Sequence, residues 1–289
     1  MLNNKFSGTA VATVTPFKKD KSIDFVAFEK LIEYYIENGI DYLVVLGTTG
    51  ENATLSAEEK NQVIDFAIEK VNGRIPIVAG FGGYNTENVI KSIKSRDFKG
   101  IDGILSVSPY YNKPNQQGLF EHFTAIADAS PVPVIIYNVP GRTGVNISAE
   151  TTLKLAEHQN IAAIKEASGN MDQIMKILQH KPADFMVISG DDALTYPMIM
   201  LGSSGVISVV GMAEPKKMSD MVRFALAGKV EEAKKLHFQL LDITNAIFED
   251  GNPGGIKAVL YLKNLIDYNL RLPLVPVNEK TYEKIKSLI

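Results

Sequence analysis

A rhythm recurs along the whole chain: a short apolar run ends in small or polar residues, and a longer amphipathic segment follows. That is the pattern of a β-strand feeding a helix. Candidate strand ends fall near Thr15, Gly47, Gly80, Ser108, Tyr137, Lys165, Gly190 and Ser208, 18 to 33 residues apart. Strands of a sandwich recur every ~8 to 12 residues, so this spacing excludes one. Runs such as Tyr42 to Leu46 and Val134 to Tyr137 are apolar on both parities, as strands covered on both faces must be. The segments between them carry helix signals. Asp24 is placed to cap a helix in which Phe28, Leu31, Ile32, Tyr35 and Ile36 recur at helical spacing until Asn38-Gly39. Ser56 and Glu59 match a capping box, in which each side chain satisfies a free backbone N–H of the other.

Eight βα units predict an α/β fold, a (β/α)8 TIM barrel over residues 1–227. A doubly wound open sheet is the alternative, because eight units do not by themselves demand closure. Residues 228–289 read as a C-terminal three-helix region: Val230 to Phe248, Gly255 to about Leu265, and a last helix to Ile289. The turn Gly251-Asn252-Pro253-Gly254-Gly255 separates the first two, and no low-complexity linker intervenes, so this helical appendage is expected to pack on the barrel.

Composition then narrows the function. Hydrophobic residues at 45% and charged residues at 22% describe a globular chain and exclude a disordered one. Thirty basic against 33 acidic residues give a net charge of −3 with no block of either sign, which argues against nucleic acid and membrane surfaces as partners. The absence of cysteine removes disulfides, thiolate catalysis and Cys-ligated metal sites. No window reaches the ~18 apolar residues of a spanning helix, and MLNNKFSGTA does not resemble a signal peptide, so a cytoplasmic location is expected.

In a closed barrel the active site is built at the C-terminal ends of the strands. Gly47-Thr48-Thr49-Gly50-Glu51 offers hydroxyls and backbone N–H groups to a carboxylate or small phosphate, and equally fits an ordinary tight βα turn. Tyr137 ends the fifth run, and Arg142 follows in a loop shaped by Pro140, Gly141 and Gly144. Such an arginine can hold a carboxylate through two parallel hydrogen bonds, or simply be solvated. Lys165 ends the sixth run; desolvation at a barrel mouth would supply the neutral amine that attacks a carbonyl, whereas a lone lysine there can also snorkel to water. The convergence of a lysine, a phenol, paired threonines and an arginine on different strand ends favours carbonyl chemistry. His122, His158, His180 and His237 lack the i, i+4 spacing of a zinc site and read as helix-surface residues. Asp191-Asp192 reads as a cap ahead of a magnesium site, and no nucleotide-binding glycine motif is present.

The motifs TPF (Thr15 to Phe17), GTTGE (Gly47 to Glu51), SPYYNKP (Ser108 to Pro114), YNVPGRTG (Tyr137 to Gly144), IKEASGN (Ile164 to Asn170), SGDD (Ser189 to Asp192), GVISV (Gly205 to Val209) and NPGGIK (Asn252 to Lys257) occur in this order. Together they resemble the dihydrodipicolinate synthases, of the pyruvate-dependent class I aldolase superfamily that includes N-acetylneuraminate lyase. The resemblance implies a lyase in which Lys165 forms a Schiff base with pyruvate and Thr49 holds the pyruvate carboxylate with the backbone of its turn. It implies that Tyr137, Thr48 and Tyr111 relay protons, Tyr111 reaching across a tight dimer interface from a neighbouring subunit. Backbone groups of Gly190 and Ile207 would line the pocket. An arginine at position 142 marks the synthases rather than the sialic acid lyases. It implies condensation of pyruvate with L-aspartate 4-semialdehyde, the committed step toward diaminopimelate and lysine, by a homotetramer with no metal or organic cofactor.

Two other readings stay open: a sibling enzyme acting on a sugar-derived 2-keto acid, and a non-enzymatic keto-acid sensor, whose mark would be loss of the lysine, a tyrosine or a threonine. The resemblance also bears on feedback by lysine. Tyr110 is present, but Ala57, Lys60, Tyr84 and Asn88 stand where sensitive relatives carry histidines, an Asn and a Glu, and Asn85 and Glu87 lie one residue off. Weak or absent inhibition by lysine is expected.

Overall fold

The computed structural model describes residues 5–289. The first four residues of the segment expected to form the barrel therefore lie outside it. Strands β1 (Gly8–Ala12), β2 (Tyr42–Val45), β3 (Ile77–Gly80), β4 (Gly103–Val107), β5 (Val134–Asn138), β6 (Ile161–Glu166), β7 (Met186–Ser189) and β8 (Gly205–Ser208) form one closed barrel in sequence order. All pairings between neighbouring strands are parallel. Closure settles the choice between barrel and open sheet, with Ala10 paired to Ile207 and Val11 to Ser208. At the seam the backbones approach so closely that a Cβ on Gly205 would sit 1.9 Å from the Gly8 carbonyl oxygen, so only glycine fits. β1 ends at Ala12, short of Thr15; Thr13 N–H still bonds Val44 oxygen, and the Thr15 hydroxyl leaves the ladder to donate to Gly50 oxygen at 2.7 Å.

The two parities of each strand serve two cores. Tyr42, Val44, Ile135, Ala163, Ile188 and Ile207 fill the barrel interior. Leu43, Val45, Ile136, Ile164 and Val187 face the surrounding helices. The helix Phe25–Glu37 shows how one such layer is made: Asp24 accepts from Ala27 N–H as its cap, and Ala27, Phe28, Leu31, Ile32 and Tyr35 are buried. Each large apolar side chain taken from water in this way contributes about 1.5 to 3 kcal/mol, so Phe28→Ala would cost roughly 3 to 5 kcal/mol once its cavity is included. The Ser56–Glu59 capping box opens the helix Ala57–Val71 with both reciprocal bonds made.

After the helix Pro215–Leu226 come the helices Val230–Glu249, Gly254–Leu262 and Glu279–Lys286. The middle one stops at Leu262, short of Leu265, because Asn264 turns left-handed at φ +57° and the Asn264 and Leu265 N–H groups bond back to the Tyr261 and Leu260 oxygens in place of their helical partners. Among the described residues, no helix is long and apolar enough to cross a membrane.

Candidate active site

β5 and β6 pair Tyr137 with Lys165, on the parity that Ile135 and Ala163 turn into the barrel interior. The Lys165 Nζ lies 4.4 Å from the centre of the Tyr137 ring. Burial lowers the Lys165 pKa to about 8; the Arg142 charge pushes the same way and the Asp192 carboxylate opposes it. Roughly one such amine in ten is neutral at pH 7, against about three in ten thousand for an ordinary lysine. Space for the side chain comes from Gly190 at the end of β7. A Cβ there would lie 2.9 Å from Lys165 Cε, 3.0 Å from its Cγ and 2.9 Å from the Ala167 Cβ.

The Gly47–Glu51 segment folds as a single 3-10 turn over Thr48–Gly50, with Gly47 extended before it and Glu51 left-handed after it at φ +53°. Thr48 stands beside the Tyr137 phenol, whose pKa burial pushes up while the Arg142 charge and the Thr48 side chain pull it down. Thr49 is buried, and its Oγ1 accepts from Asn252 Nδ2 at 2.8 Å. Glu51 fixes the far end of the turn. Its carboxylate meets Lys257 Nζ at 2.5 Å and accepts the Arg271 N–H at 3.0 Å, with both Glu51 and Lys257 side chains wholly buried. Lys257 also donates to Asn269 oxygen and lies 4.3 Å from the centre of the Phe17 ring. No local motif points to this pairing, since its partners are 206 residues apart.

Arg142 sits on the short helix Pro140–Thr143, which Pro140 starts and Gly144 closes with a left-handed φ of +70°. Its Nη2 donates to Asn252 oxygen at 3.3 Å. The loop is braced from outside the barrel: Asn138 accepts from Ile147 N–H and donates to the Glu166 carboxylate, which also takes the Ser168 N–H at 2.7 Å.

Lys165, Tyr137, Thr48, Thr49, Arg142 and Gly190 all line one cavity of about 570 Å³. A second cavity, of about 370 Å³, shares Thr48, Tyr137 and Arg142 and extends to Tyr110. Six of the eight residues expected to form the site thus converge. Ile207 does not line either cavity; its side chain is 1% exposed and belongs to the barrel interior. Tyr111 is also absent from both walls. It stands 91% exposed with a left-handed φ of +71°, an unusual position and backbone for an aromatic residue.

His122 is buried, not on a helix surface: its Nδ1 lies 2.8 Å from Thr86 Oγ1, and burial lowers its pKa to about 4. Its helix, Gln116–Ala129, packs beside Thr86–Lys94, a neighbour that spacing along one helix does not reveal. Of the acidic pair, Asp191 caps as expected, whereas Asp192 is buried and accepts from the Ser208 hydroxyl and the Val209 and Val210 N–H groups. It thus ties the end of β8 to the cavity it lines.

The sequence profile of the dihydrodipicolinate synthetase family matches residues 5–289. The 4-hydroxy-tetrahydrodipicolinate synthase of Parabacteroides distasonis is 51% identical over 290 residues, an alignment spanning 100% of this chain and 98% of that protein. That of Flavobacterium psychrophilum is 54% identical over 275 residues, spanning 95% and 94%. The crystal structure of the chloride-inhibited dihydrodipicolinate synthase from Acinetobacter baumannii complexed with pyruvate superposes with a TM-score of 0.95 at 42% identity, over 98% of this chain and 97% of that one.

Proposed function

This chain belongs to the dihydrodipicolinate synthetase family, and from that premise we propose that it condenses pyruvate with L-aspartate 4-semialdehyde to 4-hydroxy-tetrahydrodipicolinate. The observation that carries the reading is the buried Lys165 amine, held near pKa 8 in a cavity with Tyr137, Thr48, Thr49 and Arg142.

The neutral amine adds to the C2 carbonyl of pyruvate, and loss of water gives a protonated imine. That loss needs a proton delivered to the leaving hydroxyl, for which the Tyr137–Thr48 pair is positioned. The imine withdraws electrons, so a methyl proton leaves and the resulting enamine attacks the aldehyde carbon. The new C–C bond forms as the aldehyde oxygen takes a proton. The amino group of the condensed chain then displaces Lys165 from C2, closing the ring and freeing the enzyme. No external oxidant, metal or organic cofactor enters this balance.

Thr49 and the backbone of its turn serve the pyruvate carboxylate in this scheme. Arg142, on the cavity rim, serves the carboxylate of the semialdehyde. Tyr111 completes the proton relay in the site of a neighbouring subunit of a homotetramer, a role supported by its exposure and left-handed backbone. The backbone of Gly190 completes the wall.

The test is a coupled assay with both substrates and the next reductase of the pathway, run beside borohydride trapping of pyruvate. Arg142→Ala should weaken use of the semialdehyde by about 2 to 5 kcal/mol while pyruvate trapping on Lys165 stays nearly intact. Turnover with a sugar-derived acceptor and none with the semialdehyde would overturn the substrate assignment.

A further inference from the structure

Asn252 belongs to none of the strand ends from which the site was expected, yet it touches both groups proposed to hold a carboxylate. It lies between the helices Val230–Glu249 and Gly254–Leu262, is 8% exposed, and lines both cavities. Its side-chain Nδ2 donates to Thr49 Oγ1, and its backbone oxygen accepts from Arg142 Nη2. Its Oδ1 is buried without a hydrogen-bond partner among the described residues.

We propose that Asn252 is a positioning residue that fixes the Thr49 hydroxyl as a donor toward the pyruvate carboxylate and ties it to the arginine of the second subsite. The inference rests on the pyruvate reading of the cavity given above. A threonine hydroxyl has one proton and two lone pairs. When the Asn252 amide donates into one lone pair, the proton stays free to point outward, where a carboxylate accepts it. The opposite amide orientation would take that proton for Oδ1 and turn lone pairs toward an incoming anion. The backbone carbonyl contact to Arg142 survives any change of the Asn252 side chain, so the two subsites are separable by mutation.

Asn252→Asp is isosteric and can only accept when ionised; it reproduces the unfavourable orientation permanently. It should raise the KM for pyruvate by roughly 10- to 100-fold, the size of a lost hydrogen bond to a charged group. The KM for the semialdehyde should change far less. Asn252→Ala removes the donor without adding charge and should raise the pyruvate KM by a smaller factor. The decisive comparison is a double-mutant cycle: once Thr49→Val has removed the hydroxyl, Asn252→Ala should add little further loss in pyruvate KM. Multiplicative losses in that cycle, or an unchanged pyruvate KM in both Asn252 variants, would overturn the inference and leave the reaction assignment standing. An unchanged pyruvate KM in Thr49→Val would overturn it through Thr49 itself. Failure of the unmutated enzyme to take a pyruvate label on Lys165 would instead refute the pyruvate reading, and this inference with it.

Discussion

Replacing Lys257 by Met tests the anchor beneath the Thr48–Gly50 turn. The substitution conserves length and apolar stem but leaves the Glu51 carboxylate buried with only the Arg271 N–H to satisfy it. Removing one partner of a buried ion pair costs about 3 to 5 kcal/mol, most of it the penalty of the uncompensated charge. At ~2 to 4 °C per kcal/mol for a chain of this size, the melting temperature should fall by roughly 6 to 20 °C. Calorimetric melts at pH 8, at matched protein concentration, read this fall. Glu51→Gln with Lys257→Met should recover more than half of the loss at pH 8, because the amide oxygen still accepts from Arg271. A single variant melting within about 2 °C of the parent at pH 8, or a double variant melting below the single one, would refute the reasoning.

Four further outcomes are expected. Single-turnover trapping of pyruvate by borohydride should rise about tenfold per pH unit and flatten above about pH 8, as the lowered Lys165 pKa dictates; a flat profile from pH 6 to 8 would exclude this amine as the titrating group. Gly190→Ala places a methyl against Lys165 Cε and Cγ and against Ala167, and should slow trapping on the order of a hundredfold; near-normal trapping would show that the lysine has room to move. Tyr111→Phe and Lys165→Ala subunits should each be poorly active, and their mixture should regain activity. Failure to do so, with mixing verified by native mass spectrometry, would return Tyr111 to its own subunit's site. L-Lysine should inhibit weakly or not at all at subsaturating pyruvate: Ala57, Lys60, Tyr84 and Asn88 line a cavity of about 260 Å³, the Asn85 side chain is engaged capping Asn88 N–H, and Glu87 pairs with Lys91 instead of lining the cavity. Inhibition well below millimolar lysine would contradict this.

The barrel was legible in the sequence because each strand is buried on both faces, so runs such as Tyr42 to Leu46 betray themselves without alternation. Lys165 and Tyr137 were legible for the same reason: each interrupts such a run at the end that a barrel turns toward its site. Their direct pairing across β5 and β6 was not, because register depends on the partner strand. Asn252 and Lys257 were hidden more deeply. In sequence they belong to a glycine-rich turn and a helix, and only the fold brings them to Thr49 and Glu51. In sequence Asp192 reads as half of a cap, because its true partners, Ser208, Val209 and Val210, come from the next strand's end.

The bonds from Asn252 to Thr49 and from Lys257 to Glu51 span 203 and 206 residues, and this has a consequence for how the enzyme is born. Closing a flexible loop of that length costs roughly 5 kcal/mol in chain entropy, so such contacts are rewarded only after the intervening βα units have already condensed. A nascent chain released only as far as Ser208 has every strand of the barrel and Lys165, but neither tether on the Thr48–Gly50 turn. Catalytic competence should therefore appear late in synthesis and abruptly, when the last tens of residues clear the ribosome, rather than growing with the barrel.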